Sequence, residues 1–134
     1  MQFIGGSSFG GVVLQRVLVV EDEEPVGRAL ERWLKRQRVH VLLLVDTARL
    51  EETIAAFQPT HVVSDLRMAP RDGVEVLSVV KRLAPHAVRS LLSGSLETLT
   101  EAALETISPC NLISKPWQES TLAADLGLVR GVRS

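Results

Sequence analysis

A chain of 134 residues has room for one domain and little more. Hydrophobic residues make up 46% and charged residues 23%, which supports a core and excludes a disordered polyelectrolyte. The net charge of -1 lacks the basic excess of a nucleic-acid binder, so no direct nucleic-acid partner is expected.

Residues 1 to 14 are rich in glycine and serine and read as a flexible leader. They hold no Gly-Lys-Ser/Thr that would make them a phosphate loop. No basic region followed by a long apolar stretch marks a signal peptide, and runs such as Val41 to Val45 are too short to span a membrane. A single cysteine, Cys110, cannot form an internal disulfide, which fits a reducing, cytoplasmic home.

From Arg16 the pattern alternates. Arg16 to Val20 is a β-branched apolar run and predicts a buried strand. Pro25 opens a helix with Val26, Leu30, Trp33 and Leu34 on one face. His40 to Val45 predicts the second strand, and Asp46 or Thr47 caps a helix reaching about Phe57. His61 to Ser64 predicts the third strand. A loop with Pro70, Asp72 and Gly73 leads to a helix from about Val74 to Leu83. Ala87 to Leu92 predicts the fourth strand, and Ser95 caps a helix from Leu96 to about Thr106. Asn111 to Ser114 predicts a short fifth strand, and Glu119 to about Val129 the last helix. Strands alternating with helices predict a parallel α/β sheet covered on both faces, with right-handed crossovers.

In such sheets the reactive groups lie beyond the carboxyl ends of the strands. Glu21 to Glu24 follow the first strand, Asp65 the third, Ser93 and Gly94 the fourth, and Lys115-Pro116 the fifth. Each piece alone has an ordinary reading. Acids suit a helix N-terminus, a lone Asp caps or turns, and Lys-Pro makes a turn. Together they bring acids, a hydroxyl and an amine to one edge. Clustered carboxylates repel, and a hard cation such as Mg²⁺ relieves them. A carboxylate can also accept a phosphoryl group as an acyl phosphate, with an ammonium and a hydroxyl neutralising its charge.

Four segments carry a family resemblance: Val17 to Pro25, Ser64 to Met68 with Asp72-Gly73, Leu91 to Gly94, and Ser114 to Trp117. With these, Arg16 to about Val129 resembles the receiver domains of two-component response regulators. The resemblance implies a flavodoxin-like (βα)5 doubly wound sheet of five parallel strands, order 2-1-3-4-5. It places the receiver at residues 15 to 129, with 130 to 134 as a tail. It makes Asp65 the phosphoacceptor, Ser93 the hydroxyl and Lys115 the lysine that meet the phosphoryl group. Glu21, Asp22, Asp65 and the backbone carbonyl of Arg67 become the Mg²⁺ ligands. It also implies a cis Lys115-Pro116 bond.

Implied partners are a sensor histidine kinase or phosphotransfer protein and a downstream output protein or domain. A homodimer through the last helix, strand and helix is a form the family adopts. The domain would be a signalling phosphoacceptor rather than an enzyme, assisting its own phosphorylation and dephosphorylation. Arg67 and Ser95, two residues beyond Asp65 and Ser93, are expected to set the lifetime of the acyl phosphate. The Ser-Lys-Pro-Trp ending resembles receivers joined to cyclic-dinucleotide phosphodiesterase-type outputs. No output segment follows Val129, so the domain acts alone or belongs to a longer protein.

Three positions depart from the pattern. Glu21 stands where Asp is more usual, and Ala69 where Pro is common. Leu112 occupies the position of the aromatic switch residue. Ala69 and Leu112 favour a second reading, a degenerate receiver kept as a phosphorylation-independent interaction module. A third reading, a phosphatase or nucleotidyl-transfer enzyme on a similar sheet, needs a second Asp where Arg67 stands. A dinucleotide binder needs glycines where Glu21 to Glu24 stand. His40, His61 and His86 are too scattered for a metal set. Cys110, Trp33 and Trp117 read as packing residues.

Overall fold

A computed structural model describes residues 8, 9 and 12 to 129. Five strands form one parallel sheet: β1 (Arg16–Val20), β2 (His40–Leu44), β3 (His61–Asp65), β4 (Val88–Ser93) and β5 (Asn111–Ser114). Their order is β2-β1-β3-β4-β5, the predicted 2-1-3-4-5. Four helices connect them, α1 (Glu24–Lys35), α2 (Leu50–Phe57), α3 (Gly73–Leu83) and α4 (Glu101–Ile107), and α5 (Glu119–Asp125) follows β5. Within the predicted leader, Ser8–Phe9 pairs antiparallel with Val12–Val13. Residues 1 to 7, 10 and 11 of the leader and the tail from Arg130 lie outside the described residues.

Alternation along the strands divides the core in two. Leu18, Val62 and Leu91 face α2, α3 and α4, where they meet Leu50, Ile54, Leu77, Val80 and Ile107. Val17, Val19, Val63 and Leu92 face α1 and α5, against Leu30, Trp33, Leu34, Leu122 and Leu126. Burial on both faces explains the unbroken apolar run Val17 to Val20 of β1, and β3 is buried along its whole length.

Local signals set most helix ends. Asp46 accepts from the Ala48 amide at 3.0 Å ahead of a single 3₁₀ turn, Thr47–Arg49, that leads into α2. Asp72 and Glu75 form a reciprocal capping box at the start of α3, with bonds of 2.9 and 3.1 Å.

Two predicted helices are shorter than expected. The fourth was expected from Leu96, but Leu96–Thr98 is a 3₁₀ turn and α4 begins at Glu101, capped by Thr100 through the Ala103 amide. Ser95 makes no cap bond because its hydroxyl is taken by Ser93 and Arg67. The last helix stops at Asp125, not near Val129. Gly127 there adopts the left-handed φ of 76°, and Gly127 and Leu128 donate back to Ala124 and Ala123 in a Schellman closure. Gln15 then holds the outgoing chain, donating to the Val129 carbonyl at 2.9 Å and accepting from its amide at 2.6 Å.

Candidate functional site

The predicted acids meet where β1 and β3 end. Glu21 leaves β1 with its amide bonded to the Leu44 carbonyl on β2, which keeps it in line with the sheet. The residue is 3% exposed, and its side chain accepts from the Glu23 amide at 3.2 Å. Asp65 closes β3 at 7% exposure, while Asp22 stands exposed beside them. One carboxylate oxygen from each of Glu21, Asp22 and Asp65 lies within 4.8 Å of the others.

Lys115 reaches in from the end of β5, two strands away. Its amide is bonded to the Ser93 carbonyl at 2.9 Å, and its peptide bond to Pro116 is cis, as the resemblance implies. Lys115 Nζ sits 2.9 Å from Asp65 Oδ1 and 3.4 Å from Glu21 Oε1. Burial works against the ammonium. Its hydrogen bond to Asp65 and the nearby charges of Glu21 and Asp65 outweigh that and hold its pKa above the usual lysine value. Burial likewise raises the Glu21 carboxyl above its ordinary value, with the Asp65 charge adding to the effect and the Glu23 amide and Lys115 opposing it.

The structure places Ser93 at the end of β4, 2% exposed. Its hydroxyl accepts from the Ser95 amide at 2.9 Å and lies 3.2 Å from the Ser95 hydroxyl. Arg67 continues this chain, with Nε 3.3 Å from Ser95 Oγ and Nη2 3.4 Å from Thr98 Oγ1. Among the described residues no donor meets the Arg67 carbonyl. Asp22, Arg67 and Thr98 also line a cavity of about 830 Å³ that runs on between Met68, Leu99 and Ala103. The sequence reading missed Thr98 and Thr100, because only the broken start of α4 brings them to this mouth.

The residues set aside fall elsewhere. His61 is buried at the start of β3, bonded to Thr60 and to the Gly127 carbonyl. Burial pushes the Cys110 thiol up to about 11, which keeps it protonated and unreactive. Trp33 is in the core and Trp117 packs against it. Leu112 lies 44% exposed on the edge strand β5.

Fold and site together define a doubly wound α/β domain whose switch edge carries a carboxylate cluster held by one lysine. Residues 17–126 match the family model described as the response regulator receiver domain. The chain is 26% identical over 110 residues to the photosynthetic apparatus regulatory protein RegA of Rhodovulum sulfidophilum, covering 82% of this chain and 60% of that protein. It is 33% identical over 107 residues to the hydrogenase transcriptional regulatory protein HoxA of Bradyrhizobium diazoefficiens, covering 79% of this chain and 22% of that one. Among solved structures, the chemotaxis protein CheY4 of Vibrio cholerae superposes with a TM-score of 0.75 at 17% identity, covering 85% of this chain and 97% of that one. The chain belongs to the response regulator receiver domain family, and spans 60% or less of these two regulatory relatives. Among the described residues no helix is long and apolar enough to cross a membrane.

Proposed function

We propose that this receiver takes a phosphoryl group on Asp65, from the phosphohistidine of a sensor histidine kinase or phosphotransfer protein. The observation that carries the reading is the setting of Asp65: a nearly buried carboxylate, 2.9 Å from Lys115 Nζ and clustered with Glu21 and Asp22. An Asp65 carboxylate oxygen attacks phosphorus and the P–N bond breaks, leaving the electron pair on the imidazole. Lys115, already bound to Asp65, holds one of the new phosphoryl oxygens. Ser93 donates to another after giving up Ser95. Hydrolysis reverses the switch: water attacks phosphorus, the P–O bond to Asp65 breaks, and inorganic phosphate leaves.

The hard oxygen donors of Glu21, Asp22 and Asp65, with the free Arg67 carbonyl, fit Mg²⁺. When bound, the ion neutralises charge on the phosphoryl oxygens. Moving Ser93 pulls on Ser95 and through it on the turn at Leu96–Thr98, which would pass the change to the α4 face. With Leu112 in place of an aromatic residue, that backbone route replaces a ring rotation as the readout. The partner is a downstream output protein or domain, in the cytoplasm.

Calorimetric Mg²⁺ titration tests the site. The reading expects saturable binding that weakens at least tenfold in Asp22→Asn. Absence of binding in the wild-type chain would favour the phosphorylation-independent interaction module.

A further inference from the structure

A buried cation lies at the opposite end of β4 from Ser93, about 13 Å away at roughly 3.3 Å per residue. Arg89 is 3% exposed. Its Nε donates to the Ile107 carbonyl at 3.1 Å, and its Nη1 to the carbonyls of Pro85 and Ala87 at 3.3 Å each. These bonds close the end of α4 and the turn before β4. They offer partial charges only. Among the described residues no carboxylate pairs with Arg89. A buried guanidinium is ordinarily paired, because removing a full charge from water is costly.

The second amino group is the open end. Among the described residues Nη2 has no acceptor, and it is not one of the sealed, partnerless polar atoms, which are Thr47 Oγ1 and Arg71 Nη1. Arg89 lines a cavity of about 240 Å³, walled by Pro85, Val88 and Pro109, with Cys110 and Asn111 behind and His86 exposed at its rim. No acidic residue lines it.

We propose that this cavity binds a small carboxylate through Arg89 Nη2. One free amino group with one charge suits a monoanion better than dianionic phosphate. The apolar walls suit a short hydrocarbon body behind the carboxylate. Binding would complete the pairing of Arg89 and fix the junction of α4 with β4 and β5. The site shares no residue with the acid cluster, so it stands independently of the phosphoacceptor reading.

The test is a ¹H–¹⁵N titration of the full chain with butyrate, with butyramide as the neutral isostere and inorganic phosphate as the comparison anion. Saturable shifts at Arg89, Cys110 and Asn111 are expected, with butyrate at least tenfold tighter than butyramide and tighter than phosphate. Arg89→Met should abolish them. Because that change removes three structural bonds, His86→Glu is the second variant; it alters only the exposed rim and should weaken butyrate at least tenfold. The proposal is overturned if butyrate gives no saturation or only shifts centred on Lys115 and Asp65. Equal binding of butyramide, tighter binding of phosphate, or unchanged affinity in His86→Glu would overturn it as well.

Discussion

Lys115 bridges two carboxylates from separate strands, 2.9 Å from Asp65 and 3.4 Å from Glu21. It thereby holds together an edge that its own acids push apart. Lys115→Met should cost about 1 to 2 kcal/mol at pH 7 without Mg²⁺, less than a sealed pair because the lysine is partly exposed. Glu21 fixes the pH trend. Its folded pKa is raised, so its contribution is fully present below the ordinary value and is lost as pH rises through the folded one. Losing Lys115 raises that pKa further. The deficit in denaturant unfolding should therefore shrink as pH falls toward the carboxylate range.

Gly73 opens α3 directly beneath Asp65. A β carbon at Gly73 would overlap the Asp65 carbonyl oxygen and stand 2.7 Å from Leu91 Cδ1 and 2.9 Å from Leu66 Cα. Two of these neighbours are backbone and cannot turn away. Gly73→Ala should destabilise the domain by about 1 to 3 kcal/mol. It should also lower Mg²⁺ affinity by displacing the Asp65–Arg67 segment. Unfolding and calorimetry on the same variant check both, and wild-type values in both would contradict the packing argument.

His61 predicts a second, separate pH effect. Its Nε2–H donates to the Gly127 carbonyl at 3.0 Å, so Nδ1 accepts from Thr60 at 2.8 Å in the neutral ring. Burial lowers its pKa, the bond to Gly127 only partly offsetting this. Above the ordinary imidazole value both folded and unfolded states are neutral. As pH falls below about 6.5 the unfolded chain takes its proton first, and stability is lost down through the folded pKa. His61→Gln should flatten the unfolding profile below about pH 6.5.

Arg67 lines the cavity beside Asp22 and is tied to Ser95 and Thr98. Its removal would open a path for water to the acyl phosphate. Arg67→Ala should dephosphorylate several-fold faster than wild type in a stopped phosphorylation assay. Equal rates would remove it from that role.

How legible these features were depended on how local their causes are. β1 and β5 run as predicted, since an acid and a Lys-Pro pair end them abruptly. That Asp65 and Lys115 meet at one edge was readable because a strand end fixes where a side chain emerges. The start of α4 was not. Ser95 and Thr100 are both good caps by sequence, and only the tertiary bonds to Ser93 and Arg67 divert the first and leave the second. Gly127 is a stop signal visible in the sequence, but the apolar spacing of Leu122, Leu126 and Val129 runs on past it and imitates a longer helix. The burial of Arg89 lay beyond reach, because its three acceptors are backbone carbonyls: those of Ala87 and Pro85 just before it, and that of Ile107 at the end of α4.

The most direct test of the phosphoacceptor assignment is intact mass after incubation with acetyl phosphate, with and without Mg²⁺, for wild type and Asp65→Asn. The account predicts a Mg²⁺-dependent gain of one phosphoryl group in the wild type and none in the variant. A gain that survives in Asp65→Asn, or no gain in the wild type, would contradict it.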